Sequence, residues 1–158
     1  MLTVRIVCIG KLKESYLREA QAEYTKRLGA FCKIEGVELP EYRLPDRPSE
    51  AQIKKGLDEE GTQILSKVSG VCVPLCIEGK MISSPALAEK IASFATGGES
   101  TITFVIGGSF GLSDEVKQCG AWKLSMSPMT FPHQLARVML LEQVYRAFQI
   151  QSGGKYHK

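Results

Sequence analysis

Apolar residues along the chain fall into two kinds of stretch. Short unbroken runs alternate with longer segments in which apolar positions recur every three to four residues. A short run bounded by turn residues predicts a buried strand, and the longer period predicts a helix with one face on a core. On this basis Leu2 to Ile9 is expected to be a strand, Gly10-Lys11-Leu12-Lys13 a turn, and Glu14 to Leu28 a helix. A second strand is predicted at Ile34 to Leu39. Prolines at 40, 45 and 48 make the next segment a loop, because each fixes φ and removes a backbone donor. Ser49-Glu50-Ala51-Gln52 then reads as a helix start. That helix runs to Lys67 with Ile53, Leu57, Ile64 and Leu65 on one side.

The second half repeats the alternation. Strands are predicted at Val71 to Ile77, Thr101 to Ile106 and around Trp122 to Met126, and helices at Ser84 to Ala95, after Ser113, and from Pro132 to Gln151. Strands alternating with helices imply an α/β fold with a mostly parallel sheet covered on both faces. A length of 158 residues suits a single domain over 1–158.

Composition narrows the class only slightly. Hydrophobic residues at 44% and charged residues at 23% supply a normal core and exclude a disordered chain. A net charge of +3 is too small to establish nucleic-acid binding. The five cysteines are an odd number, and Cys8, Cys72 and Cys76 sit in apolar runs, where reduced core thiols are expected. No second Cys or His pair stands at ligand spacing from Cys72 and Cys76, so no metal site is expected. The first residues are too few and too strand-like for a signal peptide. No run of eighteen apolar residues occurs, so a cytoplasmic protein without a membrane segment is expected.

The candidate chemistry lies at two strand ends. Thr101 to Ile106 leads directly into Gly107-Gly108-Ser109-Phe110-Gly111-Leu112-Ser113. Glycines at the carboxyl end of a strand allow close backbone approach to a ligand, at the edge where open α/β sheets bind cofactors. A tight turn without ligand would look the same. The spacing is not G-x-G-x-x-G and lacks the acidic ribose partner, which disfavours a nicotinamide dinucleotide. The second loop, Leu124 to His133, carries Pro128 and Pro132 and offers mainly backbone, Ser and Thr groups. It could read an adenine edge. Met126, Met129 and Phe131 would then wall a pocket, or else simply pack in the core.

Further segments complete a pattern: Ile106-Gly107-Gly108-Ser109-x-Gly111-Leu112, Leu124-Ser125, Met129-Thr130-Phe131-Pro132-His133-Gln134, Glu142-Gln143-Val144-Tyr145-Arg146-Ala147 and Tyr156-His157-Lys158. Together with Gly10-Lys11-Leu12-Lys13, Glu23-Tyr24, Lys26-Arg27-Leu28 and Gly79-Lys80, they resemble the ribosomal RNA large-subunit methyltransferase H family of the SPOUT superfamily over essentially the whole chain. The resemblance implies a minimal SPOUT domain with a C-terminal deep trefoil knot over about 71–158, which pattern reasoning alone would have rejected. It also implies a homodimer, S-adenosylmethionine as cofactor, and N3-methylation of a pseudouridine in the helix 69 stem-loop of 23S rRNA on the ribosome. By position, the cofactor pocket would comprise Leu75, Gly107, Met126, Ser127, Pro128, Met129, Thr130 and Phe131. The alternatives are a SPOUT enzyme acting on tRNA and a non-catalytic ribosome-binding factor.

Such a transfer needs an in-line methyl donor and loss of the weakly acidic N3 proton of a uracil-type ring, which nearby positive charge favours. His133, Arg137, Tyr156, His157 and Lys158 are the candidates for the catalytic and substrate-holding roles. His133 could be a base, an orienting contact or a helix cap. Arg137, four residues on, is expected on the same helical face and aimed at the same site. The basic, aromatic tail suits stacking and phosphate contact with RNA. Some relatives end in Arg, and Lys158 gives up the bidentate geometry of that residue. Lys11, Lys13, Arg18, Lys26 and Arg27 either extend an RNA-binding face or form a solvated helix face. Leu135, Val138, Met139, Leu140, Leu141 and Val144 cover more of the last helix than one core needs, and are expected to form the dimer interface.

Overall fold

A computed structural model describes residues 1–158. The elements are β1 (Thr3–Ile9), α1 (Ser15–Leu28), β2 (Lys33–Leu39), α2 (Glu50–Lys67), β3 (Val71–Met81), α3 (Ser84–Thr96), β4 (Thr101–Ile106), α4 (Asp114–Cys119), β5 (Leu124–Ser125) and α5 (His133–Gln151). The strands form one parallel sheet in the order β2-β1-β4-β3-β5.

The alternation of side chains across each strand divides the interior into two layers. Val4, Ile6 and Cys8 of β1 join Ile102, Phe104 and Ile106 of β4 in a large cluster with residues of α3 and α5 and with Leu28 of α1. Val7 and Ile9, one residue out of phase, face the opposite way with Val105 and Cys72 toward Ile64 of α2 and Val116 of α4. Thr103, polar and fully buried in β4, is satisfied by Ser69: its hydroxyl donates to the Ser69 carbonyl at 2.6 Å and accepts from the Ser69 amide at 3.1 Å.

Local signals set several boundaries. Ser49 caps α2 reciprocally, its hydroxyl accepting from the Gln52 amide while the Gln52 side chain accepts from the Ser49 amide. The segment with three prolines contains neither helix nor strand. Other boundaries depend on the sheet. β3 extends to Met81 rather than Ile77, because Leu124 pairs with both Leu75 and Lys80 across an irregularity and the Lys80 amide donates to the Lys123 carbonyl. β5 correspondingly shrinks to two residues.

Two expectations require correction. Cys76 is half-buried on the wall of a cavity rather than in the core, since it lies in the irregular stretch between Leu75 and Lys80, past the last pairing of β3 with β4 at Pro74. Of the apolar residues on α5, Val138, Leu140, Leu141 and Val144 are buried within the chain. Leu135 is exposed and Met139 half-buried, because α5 packs between α1 and α3 and so buries two stripes rather than one. No helix is long and apolar enough to cross a membrane.

Candidate active site

Beside the irregular stretch of β3 and at the carboxyl ends of β4 and β5, the chain borders an open cavity of about 700 Å³. Size and position fit a drug-sized cofactor bound at the strand-end edge of an α/β sheet. One wall is Leu75 and Cys76 of β3; another is the Gly107–Leu112 loop. The third is the loop after β5, of which Met126, Ser127, Met129, Thr130 and Phe131 line the space, with Pro128 in the same loop but off the lining. The lining combines apolar side chains with Ser and Thr hydroxyls and exposed backbone, the chemistry that an adenosine and a charged amino-acid end require.

The glycine loop turns back on itself. The Gly111 amide donates to the Gly108 carbonyl at 3.1 Å, and Gly111 takes φ 84°, a left-handed conformation that favours glycine. A Cβ on Gly107 would stand 2.3 Å from the Gly111 carbonyl oxygen. Gly107 is therefore required first by the loop's own fold. Ser109 donates to Glu41 at 3.3 Å, tying the loop to the segment after β2.

His133 opens α5 and lines the cavity. Its Nε2 stands 3.8 Å from where a Cβ on Gly10 would lie, so the turn after β1 borders the same opening. Arg137 does not converge on the cavity. Its side chain is 4% exposed; Nη1 pairs with Glu38 at 2.6 Å and Nη2 donates to the Gly10 carbonyl at 3.0 Å. The i, i+4 spacing does place it on the side of α5 that carries His133, but the ends of β1 and β2 capture the guanidinium before it can reach solvent. Gln134 adds to this grip, accepting from the Lys13 amide at 3.0 Å. Arg137 thus fixes the turn that lies beside His133. Arg137→Ala is expected to lower stability by about 2 kcal/mol, since it removes the carbonyl's donor and leaves a half-exposed Glu38 unpaired. A urea midpoint within error of the unaltered chain would contradict this role.

The tail lies elsewhere. Tyr156 packs edge-on against Tyr145 at 4.9 Å, and Arg146, paired with Glu142 at 2.7 Å, lies 4.7 Å over the Tyr156 ring. Arg146 Nη1 also reaches His157 Nδ1 at 3.1 Å. Burial, aided by Glu142, pushes the Tyr156 phenol up from its ordinary value. Neither Tyr156, His157 nor Lys158 lines the cavity of its own chain. A second hollow of about 470 Å³ runs between the two regions, touching Tyr24 and Glu142 beside the tail and Ser125 and Met126 at the end of β5.

The basic residues near the N-terminus, Lys11, Lys13, Arg18, Lys26 and Arg27, are all exposed. Arg18 holds the carbonyls of Leu12 and Lys13, and Arg27 pairs with Glu23 and lies over the rings of Tyr24 and Tyr145.

A family model described as a predicted SPOUT methyltransferase matches residues 2–157. A ribosomal RNA large subunit methyltransferase H of Bacillus pumilus is 52% identical over 99% of this chain and all of that protein, and one from Streptococcus thermophilus is 48% identical over the same shares. The chain belongs to the ribosomal RNA large subunit methyltransferase H family.

More distant solved structures share the fold. A methylase family protein of Haemophilus influenzae aligns at TM-score 0.58 with 17% identity, covering 98% of this chain and 70% of its own. A methyltransferase of Legionella pneumophila, solved with bound SAM, aligns at TM-score 0.52 with 13% identity over 93% and 66%. Against the pocket that the methyltransferase H resemblance implies, the structure adds Lys117 and Glu78. They form an ion pair on the cavity wall, which holds the Glu78 carboxyl below its ordinary range. No periodicity or motif marks either residue, because they come together only where α4 crosses the extended end of β3. No group of three or more His, Cys, Asp or Glu side chains is arranged to hold a metal ion.

Proposed function

We propose that this chain binds S-adenosylmethionine in the strand-end cavity and methylates N3 of a pseudouridine in the helix 69 stem-loop of 23S rRNA, on assembled ribosomes in the cytoplasm. The observation that carries this reading is the convergence of Leu75, Gly107, the Met126–Phe131 loop and His133 on one cavity, in a chain half identical to rRNA methyltransferases. The deep trefoil knot proposed for about 71–158 would hold those loops together.

The cofactor supplies an electrophilic methyl sulfonium. Main-chain groups of the loop after β5 and the Gly107 turn position it, and the apolar wall of Leu75, Leu112 and Phe131 excludes water. His133 faces the incoming base, where it can orient the ring or take the N3 proton. Arg137 acts through the turn at Gly10 and has no direct contact with substrate. Tyr156, His157 and Lys158 hold the RNA by stacking and phosphate contact. Because the tail lies apart from the cavity of its own chain, the working unit is a homodimer in which each tail serves the partner's cavity. Leu135, Met139 and the hollow behind Met126 supply the apolar part of that interface. Twofold pairing also doubles the basic surface offered by Lys11, Lys13 and Lys26.

The test is mass mapping of 23S rRNA nucleosides from cells with and without the protein. One methylpseudouridine should disappear with the protein and return with an unaltered copy. If every methylpseudouridine persists, the substrate assignment fails. A tRNA methylation lost in its place would favour the tRNA reading.

A further inference from the structure

Behind the cavity wall, β3 and α4 bring two thiols together. Cys72 Sγ lies 3.1 Å from Cys119 Sγ, although 47 positions separate them in the chain. Cys72 is buried in the sheet, whereas Cys119, the last residue of α4, is exposed. The backbone beyond Cys119 is pressed onto the same strand. The Ala121 amide donates to the Cys72 carbonyl at 2.9 Å, and a Cβ on Gly120 would stand 2.4 Å from Pro74 Cδ. The pairing is therefore held by main chain on both sides. Neither thiol lines the cofactor cavity, and the methyl transfer uses neither.

We propose that Cys72 and Cys119 are a redox modification site, forming a disulfide in response to hydrogen peroxide that latches α4 onto β3. The sulfur of Cys119, the exposed residue of the pair, attacks one peroxide oxygen and the O–O bond breaks. The departing hydroxide takes up the thiol proton as water, leaving Cys119 as a sulfenic acid. The Cys72 sulfur then attacks the Cys119 sulfur, the S–O bond breaks, and a second hydroxide leaves as water with the proton of Cys72. Two thiols are oxidised and one peroxide is reduced to two waters. A disulfide bond is about 2.05 Å long, so the sulfurs close by only about 1 Å.

The order of events follows from access. Burial and the neighbouring Cys119 sulfur push the Cys72 thiol up to about 12, so Cys72 is not the first point of attack. Burial likewise pushes Cys8 up to about 12 and Cys32 to about 11, so neither competes. In a reducing compartment a disulfide of this kind is transient and reports oxidant exposure. Its placement gives it something to act on: α4 follows the glycine loop directly and carries Lys117, whose pairing with Glu78 forms part of the cavity wall.

The experiment treats reduced, full-length protein with a small excess of hydrogen peroxide. The intact mass should fall by two hydrogens, and a non-reducing peptide map should join the peptides containing Cys72 and Cys119. Dithiothreitol should reverse both changes. The melting midpoint should rise by several degrees on oxidation, because the link closes a long loop in the unfolded chain. Cys119→Ser should abolish the mass loss and the thermal shift, while Cys76→Ser should keep both. A link between any other cysteines, a disulfide between two chains, oxidation of Cys119 to the sulfinic acid with Cys72 still free to alkylate, or an unchanged melting midpoint would each overturn the latch. The peptide map of the unaltered chain decides the pairing even if a variant folds poorly.

Discussion

A Gly107→Val chain is expected to keep its sheet and to lose S-adenosylmethionine binding by at least about 100-fold, or roughly 2.7 kcal/mol. Position 107 follows β4 directly, so the buried residues Ile102 to Ile106 and their ladder to β1 and β3 are untouched. The added side chain meets the Gly111 carbonyl and the Leu112 side chain of its own loop, at 2.3 and 3.0 Å from Cβ alone. Backbone cannot yield as a side-chain end can, so the loop must open and one wall of the cavity moves. Titration calorimetry measures the affinity, and circular dichroism with a melting curve separates a lost site from a lost fold. Full affinity in a well-folded variant would remove the glycine loop from the pocket. Gly107→Ala should behave almost as badly, because the collision begins at Cβ.

Removing Tyr156 to Lys158 is expected to reduce methyl transfer by about 100-fold or more while leaving cofactor affinity unchanged. The tail packs on Tyr145 and Arg146, and no tail residue touches the cavity of its own chain. If the tail grips RNA, activity of the unaltered chain should also fall with added salt as phosphate contacts weaken. A site shared between two subunits would make a sharper demand. Mixed with a Gly107→Val chain, the truncated chain should regain activity, because the heterodimer pairs one intact cavity with one intact tail from the other subunit. Heterodimers that form and still do nothing would rule out a tail acting across the interface. Loss of cofactor affinity on truncation would place the tail in the cofactor pocket instead.

Much of this molecule was legible locally. The apolar runs and helical periods locate every strand and helix of the sheet to within a few residues, and the Ser49–Gln52 pair marks the start of α2 from sequence spacing alone. The glycine and proline loops fall at strand ends because a chain leaving a buried strand must turn where backbone can bend or is already bent. The conversion of those loops into one cavity lined also by His133 was implied by family resemblance and not by pattern.

What local pattern could not contain was decided by partners distant in sequence. Periodicity assigns a face to a residue but does not say what covers that face. Arg137 carries the spacing of a site residue, yet its fate is set by Glu38 and Gly10, 99 and 127 positions away. The extension of β3 depends on Lys123 and Leu124, and the burial of two stripes on α5 depends on α1 and α3 closing from both sides. The same holds for Lys117 with Glu78 and for Cys72 with Cys119. The sequence by itself determined the alternation of elements, the two-layer core and the chemistry available at each loop, because these follow from backbone geometry and hydrophobic period. Only the tertiary structure decided the strand order, the partners of buried charges and the separation of tail from cavity, because those follow from which surfaces meet when the sheet closes.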